Sequence, residues 1–293
     1  MGAVTANLRT FLMFAVLIGL FMAIGWLVGT FFIGDWVLGT LIFLVLAGLI
    51  NFISYFYSSK IVLWTYKAKI VDEAQSPRLH RIVHGIISRN GLPMPKIAIV
   101  PSQNPNAFAT GRNPKNAVVA ATEGILRLLD DNELEGVLAH EMAHVRNRDI
   151  LTMSVAATVA GAISFASRMA FYGSMFSGND RNNGNFIVML VAAITAPIAA
   201  MLLQLAISRS REYKADEEGA RLIGKPLYLA KALEKLEAGS RQNPMKMGSP
   251  TSSSIFIVNP FNGGALVTLF STHPPMAERV RRLKKLAKDM GQY

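Results

Sequence analysis

DNELEGVLAHEMAHVRNRD, Asp131 to Asp149, is the stretch whose reading decides the fold. Asp131 suits an N-cap, and Glu133 and Glu135 favour the first turn of a helix. Val137, Leu138, Met142 and Val145 recur at helical spacing, so the pattern predicts a helix from about Asn132 to Arg148. On that helix His140 and His144 stand at i and i+4, one above the other on one face, where two imidazoles can share a zinc ion. Glu141, beside the first of them, can reach a water activated by that ion and serve as general base. With 5 His and 19 Asp+Glu among 293 residues, a chance motif of this form is expected only roughly 0.006 times. The bland alternative is two surface histidines on an amphipathic helix. A catalytic zinc needs three protein ligands and one open position, so the rest of the chain must supply the third.

Composition narrows the search. The chain is 51% hydrophobic and only 17% charged, with a mean hydropathy of +0.32; that is too apolar for an ordinary soluble domain and points to a membrane protein. The net charge of +11 fits lysine and arginine held on the cytoplasmic side of a bilayer. No nucleic-acid motif accompanies it, so a nucleic-acid partner is not expected. The absence of cysteine excludes disulfides and thiolate ligands. Any zinc must be held by histidine and carboxylate, which fits catalysis better than a structural finger.

Taken in order, the chain opens with two apolar segments, Phe11 to Ile33 and Trp36 to about Tyr57, each long enough to cross ~30 Å of hydrocarbon. Asn51 inside the second is tolerable if it faces another helix. Arg9 before this hairpin and Lys60, Lys67 and Lys69 after it put both ends in the cytoplasm by the positive-inside rule. Globular composition follows. Pro77 to Asn90 reads as an amphipathic helix, and its His80 and His84 lack a glutamate base and read as a solvated face. Lys96 to Val100, Phe108 to Thr110 and Ala117 to Ala121 read as strands, the last two joined by a Gly111–Pro114 turn. Thr122 to Leu129 is expected to be a short helix leading into the histidine helix. Asn106, Ala107, Phe108, Ala109, Thr110 and Gly111 are the candidate edge on which a substrate could add as a strand. A hairpin with no substrate role is the competing reading.

Leu151 to about Phe176 and Phe186 to Ile207 predict a third and a fourth span. The histidine helix leads straight into this second hairpin, and packed helices lie 8–10 Å apart. An acid just beyond the fourth span is therefore delivered near His140 and His144; it is Glu212, in SRSREYKADEEGA. Asp216, one turn on, can hold a ligand histidine's free N–H. Glu217 and Glu218 read as solvated, and the alternative for Glu212 is an ion pair with Arg209 or Arg211 at the membrane edge. Leu227 to Ala238 reads as a further helix, and residues 239–264 as a long loop of lid type with an apolar island at Ile255 to Val258. His273, in STHPP, could donate to an oxyanion, or be a loop histidine with no role. The lysines and arginines of a terminal helix from Met276 read as a solvated or membrane-facing basic surface.

PNAFATG, HEMAHVRNRD, SREYKADEEGA and STHPP, in this order and with two hydrophobic pairs so placed, resemble the HtpX-type membrane metalloproteases nearly end to end. These are relatives of the type 1 CAAX prenyl proteases. The resemblance implies an α+β membrane protein: a mainly helical gluzincin metalloprotease domain with a small β-sheet, plus four transmembrane helices in two hairpins. Residues 1–59 would form the first hairpin and residues 60–293 a cytoplasmic protease domain, interrupted by the second hairpin at about 151–207. It implies one zinc ion on His140, His144 and Glu212, Glu141 as base, and His273 steadying the oxyanion. It further implies a cytoplasmic active site in the inner membrane, misfolded or damaged membrane proteins as substrates, the lipid bilayer as environment, and association with other membrane quality-control proteases.

Two other readings compete with the zinc endopeptidase. One is a non-enzymatic zinc-dependent scaffold that binds misfolded clients through the 239–264 loop. The other is an intramembrane-cleaving protease. Asp130, Asp131, Glu133, Glu135, Arg146, Arg148 and Asp149 argue against the second, because each charge at a bilayer centre costs ~2.5–3.5 kcal/mol.

Overall fold

The computed structural model describes residues 2–89, 91–160, 209–248, 250–261 and 274–292. Most of the expected second hairpin and His273 fall outside them.

Helices α1 (Gly2–Val28) and α2 (Trp36–Thr65) form an antiparallel pair. Two stretches here, Thr10–Val28 and Trp36–Thr65, are long and apolar enough to cross a membrane. The turn is written locally. Gly34 takes φ +82°, a conformation that glycine adopts without strain. Asp35 then caps α2 by accepting the Val37 and Leu38 amides at 2.9 and 3.1 Å. Near the turn the helices touch backbone to backbone: a Cβ on Gly29 would lie 2.6 Å from the Asp35 carbonyl oxygen. Leu41, Val45, Leu49 and Phe52 of α2 stay exposed, as lipid-facing residues do. Asn51 turns inward and donates to the Phe14 carbonyl at 3.3 Å, which gives its amide nitrogen a partner that lipid could not.

A four-stranded sheet follows, with β1 (Lys69–Val71), β2 (Lys96–Val100), β3 (Ala107–Thr110) and β4 (Val118–Thr122) in the order β1-β2-β4-β3. The β2–β4 pair is parallel, and the two outer pairs are antiparallel. The short strand β1 has no counterpart in the sequence reading, because three residues are too few to show a period. Alternation along the strands sorts the side chains onto two faces. Ile97, Ala107, Ala109, Val119 and Ala121 join the main core with α3 (Pro77–Ser88) and α5 (Asp131–Asn147). Ala98, Val100, Phe108, Val118 and Ala120 face a smaller cluster holding Val62 and Tyr66 at the inner end of α2.

After β4, α4 (Glu123–Leu128) leads into α5, and α6 runs over Asp149–Ala160. Then come α7 (Arg209–Ile223), α8 (Pro226–Gln242), a 3-10 turn over Pro250–Ile255, and α9 (Met276–Asp289). Two expectations change. The cap of α5 is Asp130 and not Asp131: its carboxylate takes the Glu133 amide while Glu133 takes its own, a reciprocal box. Asp131 instead faces outward to Arg78 and Arg81. The stretch expected to be a lid of residues 239–264 is partly ordered core: α8 extends to Gln242, and Ile255, Phe256, Ile257 and Val258 are buried. Their apolar side chains find the sheet edge, a long-range partner that local composition does not announce.

Candidate metal centre

His140 and His144 lie on the buried face of α5, with ring centroids 4.8 Å apart and nearly perpendicular planes. Helix α7 crosses α5 at this point. Gly219 makes the approach possible, since a Cβ there would sit 2.8 Å from the backbone nitrogen of His140. Two turns back along the same face, Glu212 brings Oε1 to 3.4 Å from His144 Nε2 and Oε2 to 3.8 Å from His140 Nε2. The three donor atoms lie within 4.8 Å of one another. A tetrahedral ion with bonds of ~2.0–2.1 Å spaces its ligand atoms ~3.4 Å apart, so the gap suits one small cation.

The outer nitrogens of both rings each face a carboxylate. His140 Nδ1 lies 2.9 Å from Asp216 Oδ1, the partner expected from the i+4 spacing. His144 Nδ1 lies 3.4 Å from Asp149 Oδ2, a partner the sequence reading did not name. Arg148 explains it: with φ 59° it ends α5 in the left-handed region and bends the chain so that Asp149 returns toward the ring. Arg211 stands on the far side of Asp149, 3.7 Å away.

The largest surprise is Arg279. The basic surface of α9 was expected to be solvated, but this side chain is fully buried. Its Nε and Nη2 donate to the two oxygens of Asp216 at 2.8 and 2.7 Å, and Nη1 donates to the Ile257 carbonyl at 2.7 Å. Nη1 is also 3.9 Å from Glu212 Oε2. A signal existed: Arg279 falls in register with Leu283 and Leu286, on the apolar stripe of its helix, where a solvated arginine has no reason to be. Glu218, read as solvated, takes a hydrogen bond from Asn147 at 2.7 Å and ties α7 to α5.

Burial governs the electrostatics. It pushes the Glu141 carboxyl up to about 7, against the pull of His144 and of a hydrogen bond from the Ala109 amide. It lowers the His140 pKa and so favours the neutral ring that a ligand must present. Burial would also lower His144, but Asp149 and Glu212 override it and push the ring up to about 10. Asp216 would rise on burial; Arg279 holds it below the usual carboxylate range instead. With both rings neutral, as ligands must be, and the carboxyl groups ionised, Glu141, Glu212, Asp216 and Asp149 outnumber the guanidinium groups of Arg279 and Arg211 by two. A divalent cation balances that difference, and the histidine and carboxylate donors suit zinc among several metals.

The candidate substrate residues form the sheet edge, since β3 is the outermost strand and Ala107–Thr110 are all buried. That edge is not an open groove. Phe108 pairs with Phe256 in an antiparallel bridge, and Asn106 donates to the Val258 carbonyl at 2.7 Å. His80 and His84 lie apart, on α3, with His80 bonded to the carbonyl of Ser76. His273 lies outside the described residues.

The sequence profile described as Peptidase family M48 matches residues 73–287 of the chain. A Protease HtpX homolog from Thermococcus kodakarensis is 50% identical over 289 residues, covering 98% of both chains. One from Methanocaldococcus jannaschii is 46% identical over 290 residues, covering 98% of this chain and 99% of the relative. Among solved structures, the crystal structure of S. mikatae Ste24p superposes with a TM-score of 0.50 at 17% identity. The superposition takes in 96% of this chain, which spans only 66% of the length of that protein, and shows likeness of fold alone.

Proposed function

This chain belongs to peptidase family M48, and from that premise we propose that it is a zinc endopeptidase that cuts misfolded or damaged membrane proteins at the cytoplasmic face of the inner membrane. That it is a membrane metalloprotease follows from the family and from its relatives. The metal, base, substrates and orientation are the proposal. One observation carries it: two helices deliver two imidazoles and a carboxylate, all buried, to within 4.8 Å of one another.

On this reading His140, His144 and Glu212 hold the ion, Asp216 fixes the His140 ring, and Glu141 is the general base. A zinc ion held there would supply a Lewis acid that lowers the pKa of a water to roughly 7 and polarises the scissile carbonyl. Glu141 takes a proton from the attacking water and hands it to the leaving nitrogen as the C–N bond breaks, giving a free carboxylate and a free amine. Asn106 to Gly111 pair with the substrate backbone, and His273 donates to the oxyanion. Residues 1–59 anchor the chain, and residues 60–293 form the protease domain around a second hairpin at about 151–207.

The test is Glu141→Gln in the full-length protein. It should retain one zinc per chain, measured by metal analysis, and lose cleavage of an unfolded membrane protein. Full cleavage by the purified variant would remove Glu141 from the mechanism. A client-binding scaffold without chemistry predicts the opposite in cells, namely that Glu141→Gln still restores tolerance of membrane stress.

A further inference from the structure

In the β3–β4 ladder the Thr122 amide donates to the Asn106 carbonyl at 3.0 Å, so Asn106, Phe108 and Thr110 turn their backbone groups toward β4. Ala107 and Ala109 therefore present theirs to the outer edge. The Ala109 amide meets the Glu141 carboxyl. The Ala107 carbonyl accepts the Ile257 amide at 3.2 Å. Two residues along a strand span ~7 Å. A segment of this chain thus binds the same edge one step from the proposed base.

Ile257 is held on both sides, because its own carbonyl accepts from Arg279, the residue that clamps Asp216. Next to it, Phe256 stands edge-on to Tyr66 at 4.9 Å and to Phe108 at 5.2 Å. The Tyr66 hydroxyl lies 2.5 Å from Ser252 Oγ. The pairing is a single bridge and not a ladder, and a 3-10 turn over Pro250–Ile255 leads into it. Strand addition is how an exposed edge takes an extended peptide. While Ile257 occupies the Ala107 carbonyl, no substrate strand can pair there.

We infer that Ser252 to Val258 is an internal stand-in for substrate: it fills the β3 edge at rest, and cleavage requires it to leave. This rests on the reading above that β3 binds the substrate backbone. A substrate segment that replaces it brings a large apolar or aromatic side chain into the place of Phe256, between Tyr66 and Phe108. Substrates are then extended segments exposed by unfolding, since folded proteins bury such side chains.

The chain has no cysteine, so an engineered pair is the only thiol pair in the molecule. Phe108 and Phe256 are direct bridge partners, and opposed antiparallel residues have Cα atoms ~4.5–5.5 Å apart, within disulfide range. Full-length Phe108→Cys/Phe256→Cys, oxidised with diamide, should cleave β-casein at least tenfold more slowly than the same sample reduced with a phosphine. Equal rates in the two states would overturn the inference. A second measurement needs neither that variant nor catalysis. In full-length Glu141→Gln, saturating β-casein should speed hydrogen exchange at the Phe256, Ile257 and Val258 amides at least tenfold; unchanged protection with casein bound also overturns it. If wild type cleaves nothing, the protease reading fails, and the exchange result still decides whether the segment is displaced. For the side-chain claim, the peptide SSSIFIVN should inhibit casein cleavage at least fivefold more strongly than its Phe→Ala form. Equal inhibition removes the aromatic pocket.

Discussion

The two sides of the candidate site are built on opposite terms. The helical wall, α5 against α7, holds its groups by side-chain pairing in both directions: Arg279 on Asp216, Asp216 on His140, Asp149 on His144. The sheet wall offers mainly backbone, and backbone accepts any strand, including one from its own chain. Groups that perform chemistry need one fixed arrangement, which buried ion pairs and a glycine contact supply. Groups that receive varied sequences need an arrangement that can be borrowed.

That contrast can be broken from either side, and the largest effect should come from the base. Glu141→Gln should reduce kcat/KM by roughly 10²–10⁴-fold with bound metal unchanged. A large loss of metal would mean that the side chain holds the site together as well as acting in it. Arg279→Leu comes next. It strands the Asp216 carboxylate in the interior, a change that typically costs ~3–5 kcal/mol, read as a lowered denaturation midpoint. Asp216→Asn keeps shape but weakens the grip on His140, and metal affinity in a competition titration should fall ~10–100-fold. Gly219→Ala forces α7 off the His140 backbone, at a cost of ~1–3 kcal/mol in stability with weaker metal binding. Unchanged values there would mean that the crossing can open without harm. The smallest change is on the sheet wall. Ser252→Ala removes one hydroxyl partner of Tyr66 and should cost only ~0.5–1.5 kcal/mol, yet casein cleavage should rise as the segment loosens.

The same contrast explains what the sequence revealed. His140, Glu141 and His144 share one helical face, and Glu212 with Asp216 shares another; period 3.6 is visible in a string of letters. Bringing those faces together needed one topological step, the return of the chain from α6 to α7. Asp149 escaped notice because it depends on the left-handed turn at Arg148, and arginine carries no turn signal. Arg279 was hidden among Arg281, Arg282, Lys284 and Lys285, although its register on the apolar stripe marked it. The occupant of β3 was least legible of all. Ile255 to Val258 shows itself as an apolar island, but pairing with a strand some 150 residues earlier leaves no local trace.

Helix α2 runs unbroken for 30 residues, ~45 Å at 1.5 Å per residue, whereas ~20 residues suffice to span hydrocarbon. It is about ten residues longer than a span needs, and it ends beside Tyr66, against Phe256. A rod of that length converts a tilt of ~10° about its outer end into a shift of roughly 8 Å at its inner end. Spans tilt to match the thickness of their membrane. A tilt of α2 would therefore reach the β3 edge through the Tyr66 ring, which touches Phe256.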